Sequence, residues 1–450
     1  MELSLAEVRQ AISAEWLGAS ATLGLRARGW SIDSRTVAAG DVFFAIQGDR
    51  FDGHAFVKTA LERGALAAVV SETVEERRLL RVADTLDALQ RLSRWVRRRW
   101  AKPVVAITGS AGKTSTKDIV SEFLGVRLRV AKTIGNLNNH LGLPLTLLRI
   151  PDDAEVAVVE MGMNHAGEIR RLAALAEPAF GVVTNVGYAH VESFDSIEGV
   201  AAAKRELIEA LPSEGVAILN ADDELVRKFR EVHAGRTLTY GFAMDADIRA
   251  TEVEMTPEGV AFTVNGVRFN SRLAGRHNVS NMLAGLAVAS LFNIPFLELT
   301  DIAGTLTPGK MRGGRSLWRG VTILNDSYNS NPEAARRMID VLCSEPAQRR
   351  IAVLGEMLEL GSMSETLHRQ IGSYAARAGI DALVGIRGAA AFLVDEARRA
   401  GMSERQVFFF DDSESAGAFL RQWAQPGDAI LFKGSRGTQV EKALATMEEA

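Results

Sequence analysis

Short, uninterrupted apolar runs recur along this chain, and longer helical patterns separate them. Val104-Val105-Ala106-Ile107, Val156-Ala157-Val158-Val159, Gly181-Val182-Val183-Thr184 and Val216-Ala217-Ile218-Leu219 are continuous rather than alternating. Strands covered on both faces read this way. Strand runs alternating with helical patterns predict α/β layers around parallel sheets.

At roughly 150 residues per domain, a chain of 450 residues predicts three units. The first, 1–101, offers Asp41 to Ile46 as a strand ending at Gly48, a helical stretch near His54 to Arg63, and a strand at Leu66 to Val70. Pro103 opens a second unit, 102–311, with the four runs above. The third, 312–450, follows the glycine-rich stretch Pro308 to Gly314, with strands at Val321–Leu324, Ile351–Leu354, Ala382–Val384, Val407–Phe410 and Ala429–Phe432. No GxGxxG opens it, so dinucleotide binding is unsupported.

Hydrophobic residues at 47% and charged residues at 24% exclude disorder, collagen and coiled coil as the main architecture. A net charge of -4 gives no basic excess to draw nucleic acid. The single cysteine, Cys343, rules out an intrachain disulfide and suits a reducing cytoplasm. Its apolar setting after Met338 to Leu342 predicts a buried thiol. Met1 to Ser4 opens no signal peptide, and no apolar run approaches the ~20 residues of a membrane span. Arg97, Arg98 and Arg99, between Trp95 and Trp100, read as a solvated helix end.

The chemistry concentrates after the first strand of the second unit, in Thr108-Gly109-Ser110-Ala111-Gly112-Lys113-Thr114-Ser115. Glycines let backbone N–H groups turn toward phosphate oxygens, and the helix that follows adds positive potential at its N-terminus. Lys113 is placed to reach β and γ phosphates, and Thr114 to ligate Mg²⁺. The spacing is GxxGKT, two residues shorter than the usual GxxxxGK[ST], which argues against an ordinary kinase or GTPase. Glu160, Asn185 and His190 follow strands of the same unit, where ligands of open α/β sheets gather, and a carboxylate suits Mg²⁺. Asn136, Asn138 and Asn139 fill a loop fit for polar substrate groups or for plain Asx turns. Lys204, in the helical pattern Ile197 to Leu207, reads from composition as a solvated lysine.

These segments, in this order, resemble the Mur ligase family. The resemblance rests on TGSAGKTS, TIGNLNNHLGLPLTLL, VVEMG, TNVGYAHVESF, VAAAKRELI, GRHNVSNMLAGLAVA, NDSYNSNP and LFKGSRG, and it covers nearly the whole chain. SIDSR, GDVFFAIQGDRFDGHAF and GEMLELGSMSETLH align it with members that join D-alanyl-D-alanine to UDP-N-acetylmuramoyl-tripeptide (UDP-MurNAc-tripeptide). The resemblance implies three α/β domains: one for the nucleotide sugar, a central P-loop ATPase-type domain, and a Rossmann-like C-terminal domain. It implies an ADP-forming ligase of peptidoglycan synthesis, hence of cell wall, shape and division, acting in the cytoplasm as a monomer.

It also implies roles. Lys113, Asn138, His190 and Lys204 form the catalytic set. Residues Thr108 to Ser115, with Asn281, Arg312 and Asp326, take ATP, Arg315 being the alternative to Arg312. Thr114 and Glu160 hold one Mg²⁺; His190 and a carbamylated Lys204 hold a second. Ser34, Arg35, Asn136, Lys433 and Arg436 face substrate. Two other classes fit less of the pattern: a folylpolyglutamate synthase, and a nucleotide-dependent switch without ligase chemistry.

Overall fold

A computed structural model of the chain describes residues 2–48, 51–256 and 258–449; Asp49 and Arg50 of the GDVFFAIQGDRFDGHAF segment lie outside them. The first sheet is ordered Glu15–Leu17, Leu79–Arg81, Ala67–Val70, Asp41–Phe44, Gly29–Ser31. Its pairs are parallel except the one between Glu15–Leu17 and Leu79–Arg81. Helix Thr85–Trp100 follows, because the Asp84 carboxylate accepts the Leu86 and Asp87 N–H groups that a helix start leaves unpaired. It buries Leu89, Leu92 and Val96 with Val42 and Val69 of the sheet, then ends at Ala101 in the left-handed region (φ 54°), ahead of Pro103.

The central sheet has seven strands, ordered Ile248–Arg249, Arg236–Gly241, Val216–Asn220, Phe180–Val183, Val104–Thr108, Val156–Glu160, Val130–Lys132, and every pair is parallel. Helices Lys113–Gly125 and Arg276–Leu291 share one apolar cluster on one face; Glu168–Ala176 and Ile197–Glu209 share another on the opposite face. This double cover is why the runs carry no polar alternation. An antiparallel meander, Thr251–Thr256, Gly259–Val264 and Val267–Ser271, is appended.

The third sheet is ordered Gly314–Trp318, Val321–Asp326, Asp428–Lys433, Arg349–Gly355, Ala382–Ile386, Val407–Phe410, and only its first pair is antiparallel. That pair turns through Arg319 and Gly320, both at positive φ (46° and 80°), as a two-residue type I′ hairpin requires. One apolar cluster runs from Val183, Val186 and Val191 of the central domain into Leu324, Met338 and Leu354 of the third. The two sheets are therefore docked, with the carboxyl ends of their strands facing a common cavity.

The expected strands are present, while Leu3–Ser4, Glu15–Leu17, Arg26–Ala27, Gly29–Ser31, Leu79–Arg81, Val130–Lys132, Arg236–Gly241, Ile248–Arg249, the meander and Gly314–Trp318 had no counterpart in the sequence reading. Arg97 departs from the solvated helix end expected of it. It is buried, its Nε donating to the Ala176 carbonyl at 2.6 Å and its Nη2 to that of Glu177 at 3.1 Å. Arg98 and Arg99 do face solvent, pairing with Glu177 and Glu7. Cys343 is half-buried rather than buried, and its thiol points to the Ala378 carbonyl. Among the described residues, no helix is long and apolar enough to cross a membrane.

Candidate active site

The shared cavity, about 390 Å³, is lined from the central domain by Ser110 to Ser115, Asn136, Asn138, Glu160, His190 and Asn281, and from the third by Arg312, Asp326 and Lys433. The turn at its floor tolerates only glycine at two points. Gly109 has φ 150°, and a Cβ there would meet Thr184 Oγ1 at 1.9 Å; Gly112 has φ 81°, and a Cβ would meet Asn281 Oδ1 at 2.7 Å. Asn185 grips the turn, its Oδ1 accepting the Ala111 N–H and its Nδ2 donating to the Ala111 carbonyl, both at 2.9 Å. Ser110 Oγ donates to the Gly187 carbonyl at 2.9 Å and accepts its N–H at 2.8 Å. Thr108 Oγ1 donates to the Met161 carbonyl at 2.9 Å.

Lys113 opens helix Lys113–Gly125, and its Nζ donates to the Gly109 carbonyl at 2.8 Å. Burial draws its pKa below the usual lysine value; Glu160 opposes this and Arg312 adds to it. Glu160, the last residue of its strand, is buried. Thr114 Oγ1 donates to its Oε2 and Asn138 Nδ2 to its Oε1, each at 2.7 Å, and Thr133 Oγ1 accepts its N–H at 3.0 Å. A hydroxyl and a carboxylate converging on the cradle form the oxygen donor set that Mg²⁺ takes. His190 lines the cavity while its Nδ1 lies 2.5 Å from Glu359 Oε2, which leaves Nε2 for a ligand.

Lys204 overturns the reading from composition. It is 1% exposed and, among the described residues, its ammonium has no hydrogen-bond or ion-pair partner. Burial first, and then the charge of Lys113, push its pKa well below the usual value. Both effects favour the uncharged amine over the ammonium.

In the third domain, Asp326 ends strand Val321–Asp326. Lys433 Nζ donates to Asp326 Oδ2 at 2.5 Å and to the Asn329 carbonyl at 2.9 Å; burial raises the Asp326 pKa against the pull of Lys433. The Arg312 guanidinium lies 4.0 Å from the Tyr328 ring centre, whereas Arg315 pairs with Glu345 and does not line the cavity. Asn281 accepts from Thr116 Oγ1 and donates to Asn278 Oδ1, both at 3.2 Å.

Six expected residues are not part of the cavity lining: Thr108, Gly109, Lys204, Ser34, Arg35 and Arg436. Ser34 is buried in the first domain; its neighbour Arg35 forks onto Asp33, at 2.9 Å from Nε to Oδ1 and 2.7 Å from Nη2 to Oδ2. Arg436 pairs with Glu441 at 2.7 Å. Sequence reasoning overlooked His277, Asn278 and Tyr328, which line the cavity. His277 is drawn down to about 3 by burial, then by Arg337 and Lys433. Asn278 lies three residues before Asn281 in GRHNVSN, on the same helix face, and that spacing was the available signal.

A shortened phosphate cradle opposed by a second α/β sheet defines a class of multidomain nucleotide-binding proteins with a cleft between sheets. The comparisons narrow it. Three families match in chain order: "Mur ligase family, catalytic domain" over residues 26–96, "Mur ligase middle domain" over 107–289, and "Mur ligase, glutamate ligase domain" over 312–436. The UDP-N-acetylmuramoyl-tripeptide–D-alanyl-D-alanine ligase of Bacillus subtilis is 36% identical over 433 residues, covering 94% of this chain and 93% of its own. The Escherichia coli ligase of that name is 34% identical, covering 100% and 99%. A crystal structure of MurF from Acinetobacter baumannii superposes with a TM-score of 0.92 at 29% identity, covering 100% and 99%. MurF from Thermotoga maritima in complex with ADP gives 0.83 at 30% identity, covering 94% and 97%. The chain belongs to the Mur ligase family and has its three-domain α/β fold.

Proposed function

We propose that this chain is an ATP-dependent, ADP-forming ligase that joins D-alanyl-D-alanine to UDP-N-acetylmuramoyl-tripeptide, giving the pentapeptide precursor of peptidoglycan. The observation that carries this is the cavity in which Lys113, Thr114 and Glu160 of one sheet face Asp326 and Lys433 of another. Relatives of nearly full-length coverage bear the same activity in their names. A carboxylate oxygen of the tripeptide attacks the γ phosphorus, the β–γ bridge breaks, and ADP departs. The dipeptide amine then attacks the acyl carbon, loses a proton, and phosphate leaves.

The chain's residues manage charge and position. Lys113 places a cation between two anions that must meet, and the N–H groups around Gly112 cradle the phosphates. Thr114 and Glu160 would hold one Mg²⁺, with Asn138 fixing the other carboxylate oxygen; His190 and a carbamylated Lys204 would hold the second. Bound Mg²⁺ supplies charge neutralisation at the phosphates. Lys204 works as a carbamate: its neutral amine adds CO₂, forming an N–C bond and releasing a proton, so a buried cation becomes an oxygen ligand. Asn281, Arg312 and Asp326 face the adenosine, Arg312 fitting that place better than Arg315. Asn136, Lys433 and Arg436 face the peptide substrates, and Ser34 and Arg35 the uridine diphosphate. The division 1–101, 102–311 and 312–450 belongs to the same reading, as does a monomer working in the cytoplasm on cell wall supply for growth and division.

An acceptor panel tests it. With ATP and UDP-MurNAc-tripeptide, D-Ala-D-Ala is expected to give a pentapeptide by mass spectrometry, and L-glutamate or D-alanine alone no product. A reduced folate with L-glutamate tests the folylpolyglutamate alternative; product in that arm only would overturn the assignment.

A further inference from the structure

His190 sits in the central domain, yet carboxylates of the third domain also hold its segment. Glu359 Oε2 lies 2.5 Å from His190 Nδ1, and the Glu192 N–H donates to the Glu359 carbonyl at 3.2 Å. Two residues before His190, the Tyr188 N–H donates to Glu333 Oε2 at 3.2 Å. Gly187 approaches that carboxylate so closely that a Cβ there would lie 2.5 Å from Glu333 Oε2. Glu333 lies in the first turn of helix Pro332–Ser344, and Glu359 in the loop after strand Arg349–Gly355. Two separate elements of the third domain thus grip Gly187 to Glu192 from both ends.

The segment needs holding. His190 adopts φ 63°, in the left-handed region that non-glycine residues rarely enter, so its backbone does not take this form unaided. The ring has a second degree of freedom, its tautomer. A carboxylate on Nδ1 keeps the proton there, leaves a lone pair on Nε2 and fixes the ring plane. Glu160, by contrast, is fixed by Thr114, Asn138 and Thr133, all of the central domain. The cavity therefore has one ligand position that the central domain builds alone and one that it does not.

We infer that Glu359 is a positioning residue of the reaction: reaching across from the third domain, it sets the tautomer and orientation of His190 while Glu333 fixes the backbone beside it. The second metal position is then complete only when the third domain is docked, and acyl phosphate is not formed in an open, wet cleft. This rests on the ligase reading and on the place given to His190 within it.

The test uses the full chain as wild type, Glu359→Ala, Glu359→Gln and, as reference, His190→Ala. Three readings are taken: the melting midpoint, kcat and KM for ATP, and Mn²⁺ affinity in the presence of ADP by electron paramagnetic resonance. The Mn²⁺ lost in His190→Ala defines the position of interest. Glu359→Ala is expected to keep the midpoint and the KM for ATP, and to lose about 10–100-fold in kcat and in affinity at that position. Glu359→Gln recovers part of both, because its amide oxygen still accepts from Nδ1. Wild-type kcat and Mn²⁺ affinity in a folded Glu359→Ala would overturn the inference. So would equal losses in both variants with a lowered midpoint, the mark of a merely structural role. A wild-type chain that forms no amide from D-Ala-D-Ala, yet loses Mn²⁺ on Glu359→Ala, would refute the substrate reading while supporting this one.

Discussion

Lys113 and Lys204 show how two residues of one type take opposite roles through their surroundings. Lys113 keeps a hydrogen bond to Gly109 and stands at a helix start aimed into the cavity. Losing one such charge-stabilising donor typically costs about 10²–10³ in rate, so Lys113→Ala is expected to lower kcat by at least ~10²-fold while the melting midpoint holds, since the side chain belongs to no apolar cluster. Steady-state kinetics with a thermal melt check both. Lys204 is buried, without a hydrogen-bond or ion-pair partner among the described residues, and feels the charge of Lys113. Lys204→Ala is expected to lose most activity, and a small carboxylic acid at high concentration to restore part of it by filling the ligand position; mass spectrometry of wild type kept in bicarbonate should show the added CO₂. An unmodified lysine with a fully active alanine variant would remove it from the site. Composition could not have found Lys204, because burial of a lysine is a tertiary fact. Thr108 to Ser115 was legible without tertiary knowledge, because strand, glycine turn and helix start are contiguous in the chain.

At the scale of elements, what the sequence disclosed follows from how each strand is covered. Val104–Thr108, Val156–Glu160 and Val216–Asn220 are buried along their whole length, so their apolar runs were plain. Arg236–Gly241 alternates Leu238 and Tyr240 with polar residues, and Val130–Lys132 is a three-residue edge; neither carries enough apolar sequence to be seen. The meander strand Thr251–Thr256 is largely exposed and was invisible for the same reason. Arg97 was misread because its partners, the carbonyls of Ala176 and Glu177, come from another domain. They are the unpaired carbonyls at the end of helix Glu168–Ala176, where a cation is favoured. Arg97→Ala is expected to destabilise the junction between first and central domains by about 1–3 kcal/mol, with Arg97→Lys recovering part of it. Differential scanning calorimetry checks this, the transition of the first domain moving to lower temperature in the alanine variant.

Across the whole molecule, a parallel sheet and a mostly parallel one of independent topology turn their strand ends toward one cleft, and the chemistry needs both. The central sheet carries the cradle, Glu160 and His190; the third carries Asp326, Lys433 and the carboxylates that hold the His190 segment. That convergence was legible only through resemblance to a family, because the spacing between Lys113 and Asp326 says nothing of their approach. The central claim, that ATP cleavage here is coupled to amide formation, is tested most directly by counting products. ADP, phosphate and pentapeptide are quantified in the same reaction, with UDP-MurNAc-tripeptide and D-Ala-D-Ala supplied together and singly. The account predicts the three products in equal amounts when both substrates are present, and no sustained ADP release when either is omitted. Steady ADP release without D-Ala-D-Ala, or with both substrates and no amide product, would contradict it.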